Sequence, residues 1–190
     1  MILTLLSTVT ADDATTMSFK DEAENPVGTT IVFDDTYDEY MFVFTDIGPA
    51  GDGSIFSFQV NATDDAGGGY DTSLITSSFF NAQHSEADDS ATLAYHAASD
   101  LAQSASFQPL TRNIGNGSDE SAAGILHLFS PSSTTYVKHF YARFNNMYHA
   151  DYSMDSYCAG YINDTTAIDE IQFKMDSGNF DGVIQLYGIA

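Results

Sequence analysis

The chain has 190 residues, and 27 acids against five bases give it a formal charge of −22. Nucleic-acid binding relies on clustered Lys and Arg that release counterions from phosphates; Lys20, Arg112, Lys138, Arg143 and Lys174 are too few and too scattered for that, and anionic membrane surfaces are disfavoured for the same reason. No stretch approaches the roughly 20 apolar residues of a membrane helix, which argues against membrane insertion.

Residues 1–11 are apolar but lack the basic start of a secretory signal, and they read as a first strand. Strand-like runs then recur at 15–19, 29–33, 40–45, 55–61, 73–80, 92–96, 125–129, 136–144, 157–162, 168–175 and 183–189, separated by Gly, Asn, Asp and Ser. Only 100–104 hints at a helical turn. Many short strands in one chain of this size predict an all-β fold, an antiparallel β-sandwich of jelly-roll type, with 1–190 as a single domain. The 14 Phe and 11 Tyr supply its core, and the lone Cys158, among apolar neighbours, reads as a buried thiol with no disulfide partner.

The strand at 40–45 is apolar on both faces, with Tyr40, Phe42 and Phe44 on one side and Met41 and Val43 on the other. A strand apolar on both faces is covered on both faces. The second cover is a long loop or a neighbouring subunit, which makes Tyr40, Phe42 and Phe44 a candidate subunit interface. The chain closes on two strands joined by a turn. Ile171, Phe173 and Met175 alternate with polar residues, Asp176 to Asn179 is turn chemistry, and the last strand runs almost to the final residue.

Motifs that carry chemistry are missing. There is no H-E-x-x-H, C-x-x-C, G-x-S-x-G or phosphate-loop pattern, and Gly67-Gly68-Gly69 precedes Tyr70 and Asp71 rather than a Lys and a helix. The chain therefore reads as a non-enzyme. His127 and His139 lie in predicted strands and could share a face, but neither has a carboxylate at fixed spacing. The acid pairs Asp12-Asp13, Asp34-Asp35, Asp64-Asp65 and Asp88-Asp89 sit beside turn signals and read as turn formers. The densest acid group, Asp34, Asp35, Asp38 and Glu39, is the candidate calcium site, since calcium takes several oxygens from flexible loops. No other cofactor is expected. Tyr beside Asp or Asn can stack on a sugar ring and bond its hydroxyls, so Tyr70, Asp71, Tyr148 and Tyr152 are the candidate glycan-binding residues.

Residues 130–148 contain Pro131-Ser132-Ser133-Thr134-Thr135 followed by Lys138-His139-Phe140-Tyr141. Gly160-Tyr161-Ile162-Asn163 then leads to Ile168-Asp169-Glu170-Ile171-Gln172-Phe173, Ser177-Gly178-Asn179 and Leu186-Tyr187-Gly188-Ile189. This pattern resembles small virion proteins of tailed phages that infect aquatic bacteria, and stretches near 36–47 and 6–11 are similar too. The resemblance implies a jelly-roll-like structural protein located on a phage particle. It would be a tail-fibre or receptor-binding element, forming a homotrimer and contacting other virion proteins and a host surface glycan. The matched residues form strands and turns, so no active residue is carried over. A capsid decoration protein and a free carbohydrate-binding module are the alternatives.

Overall fold

A computed structural model describes residues 2–20, 31–63, 70 and 73–190. The strands are β1 (Leu3–Ala14), β2 (Met17–Phe19), β3 (Glu39–Pro49), β4 (Phe56–Ala62), β5 (Ile75–Ser85), β6 (Ala91–Tyr95), β7 (Gln108–Pro109), β8 (Ala122–Phe129), β9 (Lys138–Tyr148), β10 (Tyr152–Ile162), β11 (Ile168–Met175) and β12 (Phe180–Ile189). Among the described residues no helix is long and apolar enough to cross a membrane.

All pairing is antiparallel, in two sheets: β1-β12-β3-β8-β9-β10-β5-β6 and β2-β11-β4-β7. With β5, β6, β9 and β10 set aside, two four-stranded sheets remain, β1-β12-β3-β8 and β2-β11-β4-β7. The chain then visits the sheets in nested pairs, β1 with β12, β2 with β11, β3 with β8 and β4 with β7. That nesting is the double Greek key of a jelly roll. The expected antiparallel sandwich is therefore the observed fold. The four extra strands come from two excursions, one between β4 and β7 and one between β8 and β11. They pair with each other through β10 and β5 and widen one sheet to eight strands.

Strand alternation decides what faces inward. In β9, Phe140, Ala142 and Phe144 are buried, while His139, Tyr141 and Arg143 point outward. The core between the sheets is mostly phenyl. Phe173 on β11 is its hub, with ring centroids 5.0 Å from Phe44, 5.2 Å from Phe42, 5.9 Å from Phe56 and 6.1 Å from Phe19. Such aromatic pairs add about 0.5–1.5 kcal/mol each beyond the area they bury. Gly160 on β10 makes room for this packing: a Cβ there would lie 2.4 Å from the Thr76 carbonyl oxygen and 2.9 Å from the Phe140 ring.

The structure corrects several expectations. Tyr40, Phe42 and Phe44 are not a subunit interface; they are fully enclosed between the sheets, against Phe33, Phe19 and Phe173. Their large rings take the inner side of β3, and the smaller Met41 and Val43 take the outer side, half-buried. Residues 31–33, the described part of the run 29–33, are not a strand, although Ile31 and Phe33 pack into the core. Residues 100–104 form no helical turn; Ser104 makes an isolated bridge to Ile75. Cys158 is buried as expected, and burial pushes its thiol up to about 12.

Replacing Phe173 by Ala should lower unfolding free energy by about 3–5 kcal/mol, read as a lower midpoint in urea. The Cys158 thiol should resist thiol reagents in the native protein and react after unfolding. Rapid native labelling would contradict its burial.

Candidate functional site

The outward positions of the extra strands are unusual for this chain. The strands β8, β9, β10, β5 and β6 together contain one acid, Asp155. Register places Tyr95, Phe80, Tyr157, Arg143, Ile125 and Val43 side by side across the sheet. The Phe80 and Tyr157 rings stack at 4.8 Å and 4°. The Arg143 guanidinium carbon lies 5.1 Å from the centre of the Tyr157 ring, a cation–π geometry. Tyr95 donates its hydroxyl proton to Asp100. One rung along, Tyr141 stacks on His127 at 4.5 Å, and His127 hydrogen-bonds Glu39. Phe80, Leu93, Tyr95 and Tyr141 are all exposed. Between Phe80, Tyr157, Tyr141 and Ile125 lies an apolar groove of about 310 Å³.

Arg143 is anchored within this face. It donates from Nε to Asp155 Oδ1 at 3.0 Å and from Nη2 to Asp155 Oδ2 at 2.8 Å, and the Tyr157 hydroxyl donates to the same Oδ2 at 2.9 Å. The hydrogen bonds from Arg143 hold the Asp155 carboxyl below the ordinary carboxylate range, against the opposing effect of partial burial, and Tyr157 adds to the lowering. The carboxylates that touch this band, Asp100, Asp155 and Glu39, thus each have a partner. The band offers a surface that can lie against an apolar or aromatic one.

The predicted site residues fall elsewhere. Asp34, Asp35 and Asp38 are exposed, and Asp34 Oδ1 accepts the Thr36 backbone N–H at 2.9 Å. Glu39 turns to His127 instead of joining them. Among the described residues no group of three or more His, Cys, Asp or Glu could hold a metal ion. The turn-forming reading suits Asp88, in the turn after β5 with φ of 57°, whereas Asp13, with φ of 52°, lies within β1 at an irregularity in its pairing with β12; Asp tolerates both conformations. Tyr70 is tucked against the small sheet with its hydroxyl 2.7 Å from Ser18 Oγ, and burial raises its pKa. Asp71, Asp64-Asp65 and Gly67-Gly68-Gly69 lie outside the described residues. Tyr148 and Tyr152 are brought together at the turn between β9 and β10, rings 5.9 Å apart and nearly perpendicular. They line a second groove of about 290 Å³ with Gln83, Arg112, Ala150 and Met154.

The aromatic band was not predicted as a unit. Its signal was an outward series of aromatics in strands without acids, but seeing it requires the order β8-β9-β10-β5-β6.

No family model matches the chain, and no curated protein does. Among solved structures, a chain of infectious bursal disease virus, Gx strain, is similar at 14% identity and a TM-score of 0.18, over 97% of this chain and 40% of the viral one. A chain of the Gt strain is similar at 11% identity and a TM-score of 0.15, over 95% of this chain and again 40% of the viral one. This chain thus spans well under half the length of those solved chains. Likeness at these scores carries no argument about fold or function.

Because the folded-state pKa of Asp155 lies below its unfolded value near 3.8, its stabilisation is full above that value and fades as pH falls through the folded pKa. The thermal-midpoint gap between the wild type and Asp155→Asn should be present at neutral pH and close in acid. A gap that persists in acid would show that the ion pair is not its source.

Proposed function

We propose that this chain is a structural component of a phage particle, a tail-fibre or receptor-binding element that assembles as a homo-oligomer, trimeric as fibres are. It works by binding and catalyses nothing. Its partners are further copies of itself, other virion proteins and a host surface glycan, with no part for nucleic acid or membrane insertion.

One observation carries the self-association: the outer face of β8, β9, β10, β5 and β6. Copies bearing −22 each repel one another. The repulsion is least where carboxylates are scarce, and this face combines that scarcity with exposed Phe80, Leu93, Tyr95 and Tyr141. Exposed aromatic surface with few unpaired charges is the composition of interface centres. A second copy is the natural occupant, because any like-charged partner must avoid the same acids. The jelly-roll topology and the resemblance of residues 130–190 to phage virion proteins support placing such an oligomer on a particle.

Light scattering on the eluting protein at micromolar concentration should give a multiple of the 20.6 kDa chain mass. Phe80→Asp, at an exposed position, should return it to a monomer with its circular dichroism unchanged. A wild-type monomer would overturn the assembly, and an oligomer unaffected by Phe80→Asp would move it off this face.

A further inference from the structure

The connection between β7 and β8 carries the sole Asn-Gly pair in the sequence, Asn116-Gly117. Residues 116–119 are exposed. In such a pair the backbone nitrogen of the glycine can reach the carbonyl carbon of the asparagine side chain, because no Cβ blocks the approach. Bond formation there expels ammonia.

Glu120 is built onto this pair. Its backbone N–H donates to the Gly117 carbonyl oxygen at 2.9 Å and closes a turn. Its Oε2 accepts the Gly117 backbone N–H, the very proton that must leave when that nitrogen attacks. The carboxylate lies over the two glycines that flank Asn116. A Cβ at Gly115 would sit 2.3 Å from it, and one at Gly117 would sit 2.7 Å from Oε2. Glycine on both sides of Asn116 is what leaves room for the acid. Among the described residues no Lys, Arg or His pairs with Glu120, so its carboxylate is not held by a cation.

Asn116 is held as well. Its Nδ2 donates to the Ala50 carbonyl oxygen at 3.2 Å, and the Ala50 N–H donates to the Asn179 carbonyl oxygen at 2.9 Å. The side-chain amide is thereby tied to the end of β3, which restricts its swing beside the Gly117 nitrogen. Such restriction raises the rate of an intramolecular attack. The segment borders a polar cleft of about 540 Å³ shared with Asp46, Pro49 and Asp181, so water has access to it.

We propose that Asn116 is a self-modification site, converted to aspartyl and isoaspartyl forms through a cyclic imide, with Glu120 as the general base. The Gly117 nitrogen bonds to Asn116 Cγ, the Cγ–Nδ2 bond breaks, and Nδ2 leaves as ammonia. Glu120 Oε2 takes the proton from the Gly117 nitrogen and passes it to the departing nitrogen. The hydrogen bond to Glu120 lies in the peptide plane, whereas attack uses the face of that plane, so the two do not compete. Water is the only co-reactant. Ring opening at Cγ leaves aspartate, and opening at the main-chain carbonyl leaves isoaspartate, with the backbone rerouted through the side chain. Either product adds a negative charge to a cleft that already holds Asp46, Asp119, Glu120 and Asp181. It also removes the donor to Ala50, so the link between the two loops is lost. The reaction needs no partner and is independent of any assembly of the chain.

The test is incubation of the full chain in warm, near-neutral buffer, followed by peptide mapping with mass spectrometry and an isoaspartyl assay. The peptide containing Asn116 should gain one dalton and contain isoaspartate, while peptides with the other asparagines lag behind. Glu120→Gln keeps an acceptor for the Gly117 N–H but is a far weaker base. It should slow the conversion by about tenfold or more, a fraction of what a positioned general base supplies in an enzyme. In urea, where the turn is gone, wild type and Glu120→Gln should convert at the same rate. A Glu120 that merely closes the turn would give a variant converting as fast as the wild type, or faster, in the folded state. That result overturns the proposal, as does an Asn116 that persists unchanged. A product containing aspartate without isoaspartate also overturns it, since direct hydrolysis would then be the route.

Discussion

The packing of Phe173 against five rings of the opposite and neighbouring strands is the constraint on which the molecule depends. Phe19, Phe56 and Phe173 belong to the small sheet, and Phe42 and Phe44 to the large one. Their edge-to-face contacts fix the distance between the sheets. The rings on β2, β3, β4 and β11 tie together strands that define the jelly roll, and Phe140 and Phe144 of β9 join the same cluster, 5.1 Å from Phe58 and 5.0 Å from Phe44. The aromatic core therefore anchors the inner side of the extra strands and leaves their outer side free to differ in what it displays.

That division sorts the chemistry. Carboxylates crowd the turns and the scaffold's connections, while the extra strands and β8 hold a single acid between them. Their outer side carries stacked aromatics with Arg143 locked onto Asp155. Their inner side extends beyond the small sheet and changes from apolar to amide and hydroxyl toward the turn end. The aromatic side and the buried amide side thus sit back to back on the same strands.

Much of the scaffold was legible in the sequence. The two closing strands declared themselves through the alternation of Ile171, Phe173 and Met175 and the turn at Asp176 to Asn179; they are β11 and β12, and the turn carries the chain from the small sheet to the large one. β7 was not legible, because two residues carry no period. On β3, apolar residues on both faces left the inward side ambiguous, and the size of the rings decided it. Tyr148 and Tyr152 could be picked out as tyrosines beside Asn and Asp, and the short turn between β9 and β10 brings them together. The buried amides on these strands could not, since Asn81 comes from one excursion and Asn146 from the other. A local sign did exist: Phe140, Ala142 and Phe144 are followed in the same series by Asn146, where an apolar residue would have continued the core. Arg143 and Asp155 meet only because the hairpin register aligns β9 with β10, which spacing alone does not reveal.

The ladder between β10 and β5 has a consequence for descent. Its eleven registered pairs join two segments that arise from separate places in the chain. Loss of one segment would leave the other with an open hydrogen-bonding margin, a template for misassembly. Insertions that shift the register of one segment must therefore be matched in the other, so covariation between the two excursions should record their pairing.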